Sequence, residues 1–397
     1  MPLQARTQKI PQAHDAPPPQ GKVPFGVNEV RLNGRQWLVT AVILAVLMWL
    51  VPTLWQKVER FDTPPDYRIP YELSKDYWLY GRRLHMVSES RKVLLLGDSV
   101  IWGEYVLPDG TLSHFLNEQA GTPDRFVNAG LNGLFPLAQQ GLVQSYARSL
   151  HHRKVILQWN ALWMTSPKAD LSTDKEEQFN HSRLVPQFSP RIPCYKAGAN
   201  ERLSAVIENH VDFICWVGHL QNAYFGQRSI LSWTLEDDGG APPHYPNSYR
   251  NPLKQITFKV PSAPDPDPQR GPLSPRHRPW TAAGQGTASF DWVPLENSLQ
   301  WWGFRQTVKT LRSRDNDVLA IVGPFNEHMM SETSRAAYLM FRENVITWLK
   351  QNQIPFVAPE VLPSDLYADA SHPLTEGYKL LAQRVYTDAN FRAWLRD

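Results

Sequence analysis

Cysteine is almost missing from this chain: two residues, Cys194 and Cys215, in 397. That excludes a disulfide-stapled scaffold and an all-cysteine zinc site, and allows at most one bridge. A charge excess is missing too. Lysine and arginine number 41 against 38 acidic residues, a formal charge of +3, without the clustered basic surplus of a nucleic-acid-binding domain. No internal repeat is present, which excludes solenoid and propeller arrays. Proline, by contrast, is abundant at 34 residues, so part of the chain is irregular and linker-like. The remaining composition, 42% hydrophobic and 20% charged, is that of a folded protein of one large domain or two small ones.

Between Gln36 and Gln56 there is no charged residue at all. Trp37 to Trp55 reads WLVTAVILAVLMWLVPTLW, and a helix of that length spans roughly 28 Å, close to the hydrocarbon thickness of a bilayer. Tryptophan at both ends suits the interfacial belt. Residues 37–55 are therefore expected to be a membrane anchor rather than a buried core helix. Arg6, Lys9, Lys22, Arg31 and Arg35 precede it against Asp15 and Glu29, whereas Lys57, Arg60 and Arg68 follow it interleaved with Glu59, Asp62 and Asp66. The basic bias places the N-terminus in the cytoplasm and the bulk of the chain outside. No small-x-small cleavage site follows, so the anchor reads as uncleaved. Positions 1–36 form a tail, its first thirty residues expected to be disordered, and 56–90 a connector with a helix near 72–86.

Beyond position 90, short apolar runs alternate with amphipathic stretches. Strands are expected at 92–96, 126–127, 155–157, 317–322 and 354–357, and helices at 110–120, 137–150, 301–313, 336–351 and 375–385. This alternation predicts an α/β fold with a parallel five-stranded sheet flanked by helices. A long insertion at 167–296 separates core segments 91–166 and 297–397. It holds an expected helix at 199–224 and seven prolines between Pro261 and Pro279. It is free to cover the active site, to bind a partner, or to be a tolerated extension.

Chemistry concentrates in two places. Gly97-Asp98-Ser99 ends the first strand, where open α/β sheets place ligands. A serine hydroxyl needs a neighbouring base, and that base needs an orienting group. Asp369-Ala370-Ser371-His372 follows the last strand, and a carboxylate three residues before an imidazole reaches the second ring nitrogen. With Asn128-Ala129-Gly130-Leu131-Asn132-Gly133, then Asn160, then His372-Pro373 and Gly377-Tyr378, the chain resembles the SGNH (GDSL-like) hydrolase superfamily over residues 90–165 and 297–390. The resemblance implies a flavodoxin-like core with Ser99 as nucleophile, His372 as base and Asp369 as its acid. It also implies an oxyanion hole from the Ser99 amide, Gly133 and Asn160. The segment Gln158-Trp159-Asn160-Ala161 departs from the family pattern, lacking its glycine before and aspartate after the asparagine. Asp98 is read as a residue that ties down the nucleophile turn.

Other residues have competing readings. His328 is a loop histidine or a substrate contact. His151-His152 lacks metal-ligand spacing. His210, Cys215 and His219 would need a fourth ligand to bind zinc. Trp301, Trp302 and Phe304 are core or a sugar platform, and 213–217 is too short to span a bilayer. One membrane anchor followed by an outward SGNH domain resembles bacterial proteins that O-acylate envelope or secreted polysaccharides, the alginate O-acetylation group among them. That implies a carbohydrate or acyl-ester substrate, a multi-spanning membrane acyltransferase as partner, and no cofactor. Hydrolysis of such esters, or a non-catalytic glycan-binding role, are the alternatives.

Overall fold

A computed structural model describes residues 32–236, 250–261, 278–283 and 286–396. Most of the Pro-rich run and the tail expected to be disordered lie outside the described residues. The chain divides into Met1–Leu47 and a unit of Met48–Asp397. Helix α1, Gly34–Val58, is long and apolar enough to cross a membrane. Most of its side chains are exposed, Trp37, Leu38 and Trp49 by 60–70%, so it is no core helix. Apolar surface on that scale calls for a non-aqueous neighbour.

Strands β1 (Val93–Leu96), β2 (Phe126–Asn128), β3 (Lys154–Trp159), β4 (Asp317–Val322) and β5 (Phe356–Val357) form one all-parallel sheet in the order β2-β1-β3-β4-β5. The period of two along each strand divides the core. Leu94, Leu96, Val127, Val155, Leu157, Val318, Ala320 and Val322 point into one apolar layer. Val93, Leu95, Phe126, Ile156, Leu319 and Ile321 point into the other. Helices α2 (Tyr77–Ser88), α5 (Pro136–Tyr146), α9 (Leu299–Arg312) and α10 (Glu332–Gln351) cover the first layer. Helices α3 (Ser99–Trp102), α4 (Leu112–Ala120), α11 (Thr375–Thr387) and α12 (Ala389–Arg396) cover the second. Both faces are buried, as parallel strands require.

Three regions differ from the sequence reading. The connector 56–90 is built into the core, since Leu79, Tyr80 and Leu84 on α2 are buried. The helix expected at 199–224 is two, α6 (Ala199–His210) and α7 (Asp212–Tyr224), because Val211 takes an extended conformation, which β-branched residues favour. The start of the insertion is also structural. Asp170, fully buried, accepts from the N–H groups of Leu299 and Gln300 and from Ser298 Oγ, satisfying the otherwise orphaned donors that open α9. Helix α8 (Ile230–Leu235) follows α7, and short helical turns at Pro252–Lys254 and Trp280–Ala283 lie further along the insertion. Trp301 and Phe304 are buried core side chains, with Trp302 packed partly against them.

Helix α7 docks on α2 through buried charge. His219 bonds Asp76 at 2.7 Å through Nδ1 and Glu59 at 3.0 Å through Nε2, stacks on Trp78, and shares Glu59 with Arg82 and Tyr224. Cys215 bonds Glu208 O and exposed His210 bonds Val206 O, so the three side chains weighed for zinc each have separate neighbours. Both cysteines are free thiols. Burial disfavours the His219 imidazolium, yet Asp76 and Glu59 outweigh it and raise its pKa from 6.5 to about 9. A raised histidine pKa stabilises fully below the unfolded value and loses that contribution as pH climbs through the folded one. The unfolding free energy of the detergent-solubilised chain, read by chemical denaturation, is therefore expected to fall between pH 6.5 and about 9, by an amount on the order of 3 kcal/mol for this group. A His219→Gln profile that is not shallower than wild type contradicts this.

Candidate active site

Because β1 has β2 on one side and β3 on the other, the connections leaving β1 and β3 diverge and open a crevice at their carboxyl ends. Ser99 is the first residue of α3, a single turn entered directly from β1. Asp98 caps it, its Oδ1 accepting from Val100 N at 2.9 Å. Gly103, in the left-handed region at φ 89°, ends it. Buried Arg68 donates to the carbonyls of Trp102, Gly103 and Val106 and lies 4.0 Å over the Trp102 ring, clamping the loop that follows.

His372 arrives 273 positions later and places Nε2 2.8 Å from Ser99 Oγ. Its Nδ1 is 2.8 Å from both Asp369 oxygens, and Asp369 Oδ1 also accepts from the N–H groups of Ser371 and His372. A carboxylate can only accept, so Nδ1 carries the proton and Nε2 of the neutral ring faces the serine hydroxyl as acceptor. The turn is held from β4: Asn326, fully buried, donates its backbone N–H to Ala370 O and its side-chain amide to Asp369 O. Tyr378 on α11 donates to Val100 O. The second carboxylate at this imidazole is Glu104, 3.6 Å from Nε2. Burial alone would lower the His372 pKa, but Asp369, Glu104 and Asp98 raise it to about 9. Burial would likewise raise Asp369, but the imidazole and backbone donors hold it at about 2.

The loop after β2 lies against α3. Leu131 N donates to Gly97 O, and Asn128 reaches Ile101 O. A Cβ on Gly130 would stand 2.4 Å from Trp102 N, so only glycine permits this approach. Gly133 closes the loop at φ +68°. Among the described residues its N–H has no backbone acceptor, and neither does that of Ser99. Asn160, at the end of β3, donates from Nδ2 to Asp98 Oδ2 at 2.8 Å, where Trp163 Nε1 also donates at 2.6 Å. Asp98 is thus a buried hub joining the loops after β1 and β3. Burial pushes its carboxyl up, against the pull of those three donors.

The structure therefore joins Ser99, His372 and Asp369 in one line, and Asp98 to Asn160 beside it. His328 donates to Leu362 O instead. Glu104, Trp163, Asn326 and Arg68 were not singled out in the sequence. Glu104 sits only five positions after Ser99, the one signal that could have drawn attention to it. No family model matches the chain, and no curated protein matches it.

Two outcomes are expected. The His372 imidazole, followed by NMR, titrates near 9, and Glu104→Gln moves that midpoint down; an unmoved midpoint contradicts the role given to Glu104. Gly130→Ala costs about 1–3 kcal/mol in denaturation, since backbone and not a flexible tip stands in the way.

Proposed function

We propose that this chain is a membrane-anchored serine enzyme of the SGNH type that acts on acyl esters through an acyl-serine intermediate. The observation that carries this is the continuous hydrogen-bonded line from Ser99 Oγ through His372 to Asp369. In the reading advanced here, Ser99 Oγ attacks the acyl carbonyl while its proton passes to His372 Nε2. Asp369 holds the ring and stabilises the imidazolium. The N–H groups of Ser99 and Gly133 and the Asn160 amide receive the developing oxyanion. The imidazolium then protonates the leaving alcohol. In the second half an incoming hydroxyl gives its proton to Nε2, attacks the acyl-serine, and Ser99 recovers its proton.

Transfer to a sugar hydroxyl is preferred over hydrolysis. A cleft of about 720 Å3 is lined by Gly133, Trp163, Phe135, Phe179, Asn180 and Lys75, with the Glu177 carboxylate also on its wall. Aromatic faces beside amide and ammonium donors match the apolar faces and hydroxyls of a glycan. The architecture of an anchor and one such domain, similar to polysaccharide O-acetylating proteins, supports the same preference by analogy. By the basic bias before α1, the N-terminus is cytoplasmic and the site lies on the far side of the membrane, where a multi-spanning acyltransferase is the proposed acyl supplier. The chemistry requires side chains alone. Esterase activity is the second reading, because water competes for the same intermediate.

In the detergent-solubilised full chain, p-nitrophenyl acetate turnover is expected to fall about 10⁴-fold or more in Ser99→Ala, with loss of fluorophosphonate labelling. Activity should rise with pH towards about 9, since the base must be unprotonated. Mass spectrometry of an added polysaccharide then separates the readings: acetyl on sugar supports transfer, acetate alone supports hydrolysis. Serine-independent turnover would remove the reading altogether.

A further inference from the structure

The carbonyl of Asn132 and the N–H of Gly133 belong to one planar peptide group and point in opposite directions. Whatever holds that carbonyl therefore aims that N–H. The holder is His181, from the insertion, whose Nε2 lies 2.9 Å from Asn132 O. A carbonyl only accepts, so Nε2 carries the proton and Nδ1 is bare. Tyr77, on α2, places its hydroxyl 2.8 Å from Nδ1 and must be the donor there. Each link thus has an assigned direction: Tyr77 O–H to His181, His181 N–H to Asn132 C=O. Both side chains are buried, His181 4% and Tyr77 8% exposed. Burial, with Lys75 adding to it and the Asn132 bond opposing, keeps the imidazole neutral by lowering its pKa to about 4. The neighbouring Asn180 packs its amide on Gly133, where a Cβ would meet Nδ2 at 2.7 Å. Two consecutive residues of the insertion thus grip the Asn132–Gly133 peptide.

We infer that His181, oriented by Tyr77, is a positioning residue that aims the Gly133 N–H at the oxyanion formed on Ser99, so that the insertion completes the active site. This rests on the acyl-serine reading given above. Hydrogen bonds in series polarise one another, so the same contact also makes the Gly133 N–H a better donor. The effect belongs to the transition state, where the oxyanion carries charge, and not to ground-state binding.

The experiment compares His181→Phe, His181→Gln and Tyr77→Phe with wild type in the full detergent-solubilised chain, using p-nitrophenyl acetate turnover and the affinity of an arylboronic acid that forms a tetrahedral adduct on Ser99. Deleting an oxyanion donor outright costs about 10²–10³ in kcat, so misaiming one in His181→Phe is expected to cost about 10- to 100-fold. KM should change far less, and boronate affinity should fall in parallel with kcat. His181→Gln, which keeps an N–H donor, should recover most of both, and Tyr77→Phe should show a smaller loss of the same kind. Should His181→Phe not fold, Tyr77→Phe, which removes only the hydroxyl, decides the matter. Unchanged kcat and boronate affinity in the folded variants overturn the inference, as does a loss confined to KM. Failure of a fluorophosphonate to label wild-type Ser99 overturns the underlying acyl-serine reading, and this inference with it.

Discussion

Five strands running in one direction bring all their carboxyl ends to a single edge, and the central residues of the candidate site hang from that edge. Ser99 leaves β1, Gly133 ends the loop after β2, Asn160 terminates β3, Asn326 follows β4, and Asp369 with His372 follows β5. The sheet cannot be loosened without separating them, because each strand is held by its neighbours through backbone bonds and by two apolar layers through alternating side chains. Parallel pairing demands long crossovers, and those crossovers leave room for an insertion between β3 and β4 without disturbing the register.

The site carries more negative charge than its three central residues require. Asp369, Glu104 and Asp98 all act on one buried imidazole, and together they overcome a desolvation effect that by itself favours the neutral ring. Glu104 reaches this position because Arg68 and Gly103 shape the loop that presents it. In the proposed acyl-transfer cycle such a carboxylate stabilises the imidazolium, which moves the working range upward. Asp98 has a different duty: its oxygens are taken by Val100, Asn160 and Trp163, so it organises the loops rather than meeting the histidine directly.

Periodicity made the core legible. Apolar runs such as Val93–Leu96 and Asp317–Val322 are too short for helices and too apolar for half-exposed strands, and the structure makes them central strands. Boundaries moved by a few residues where caps decide them: α9 begins at Leu299 because Ser298 and the distant Asp170 satisfy its first N–H groups. The terminal helix Ala389–Arg396 went unread because it follows Asp388 directly after α11, with no loop to announce it. The segment before β1 looked like a connector since its polar and charged residues hide apolar ones; Arg82 and Glu59 are paired inside, which no window of hydrophobicity reveals. The Ser99, Asp369 and His372 positions could be picked out as chemistry-bearing residues, but their approach to hydrogen-bonding distance could not be measured along the chain.

By itself the sequence determined what depends on near neighbours: an uncharged apolar stretch over residues 37–55, strands of period two, glycine at the turns beside Ser99, and an aspartate three residues before a histidine. Tertiary structure decided what depends on residues far apart in the chain. It chose the donors that occupy Asp98, the second carboxylate at His372, and the insertion histidine that grips the Asn132 carbonyl. The reason is physical. Local preferences act through backbone torsions and adjacent side chains, whereas the direction of a hydrogen bond between segments 49 positions apart is set only once packing has brought both ends out of water.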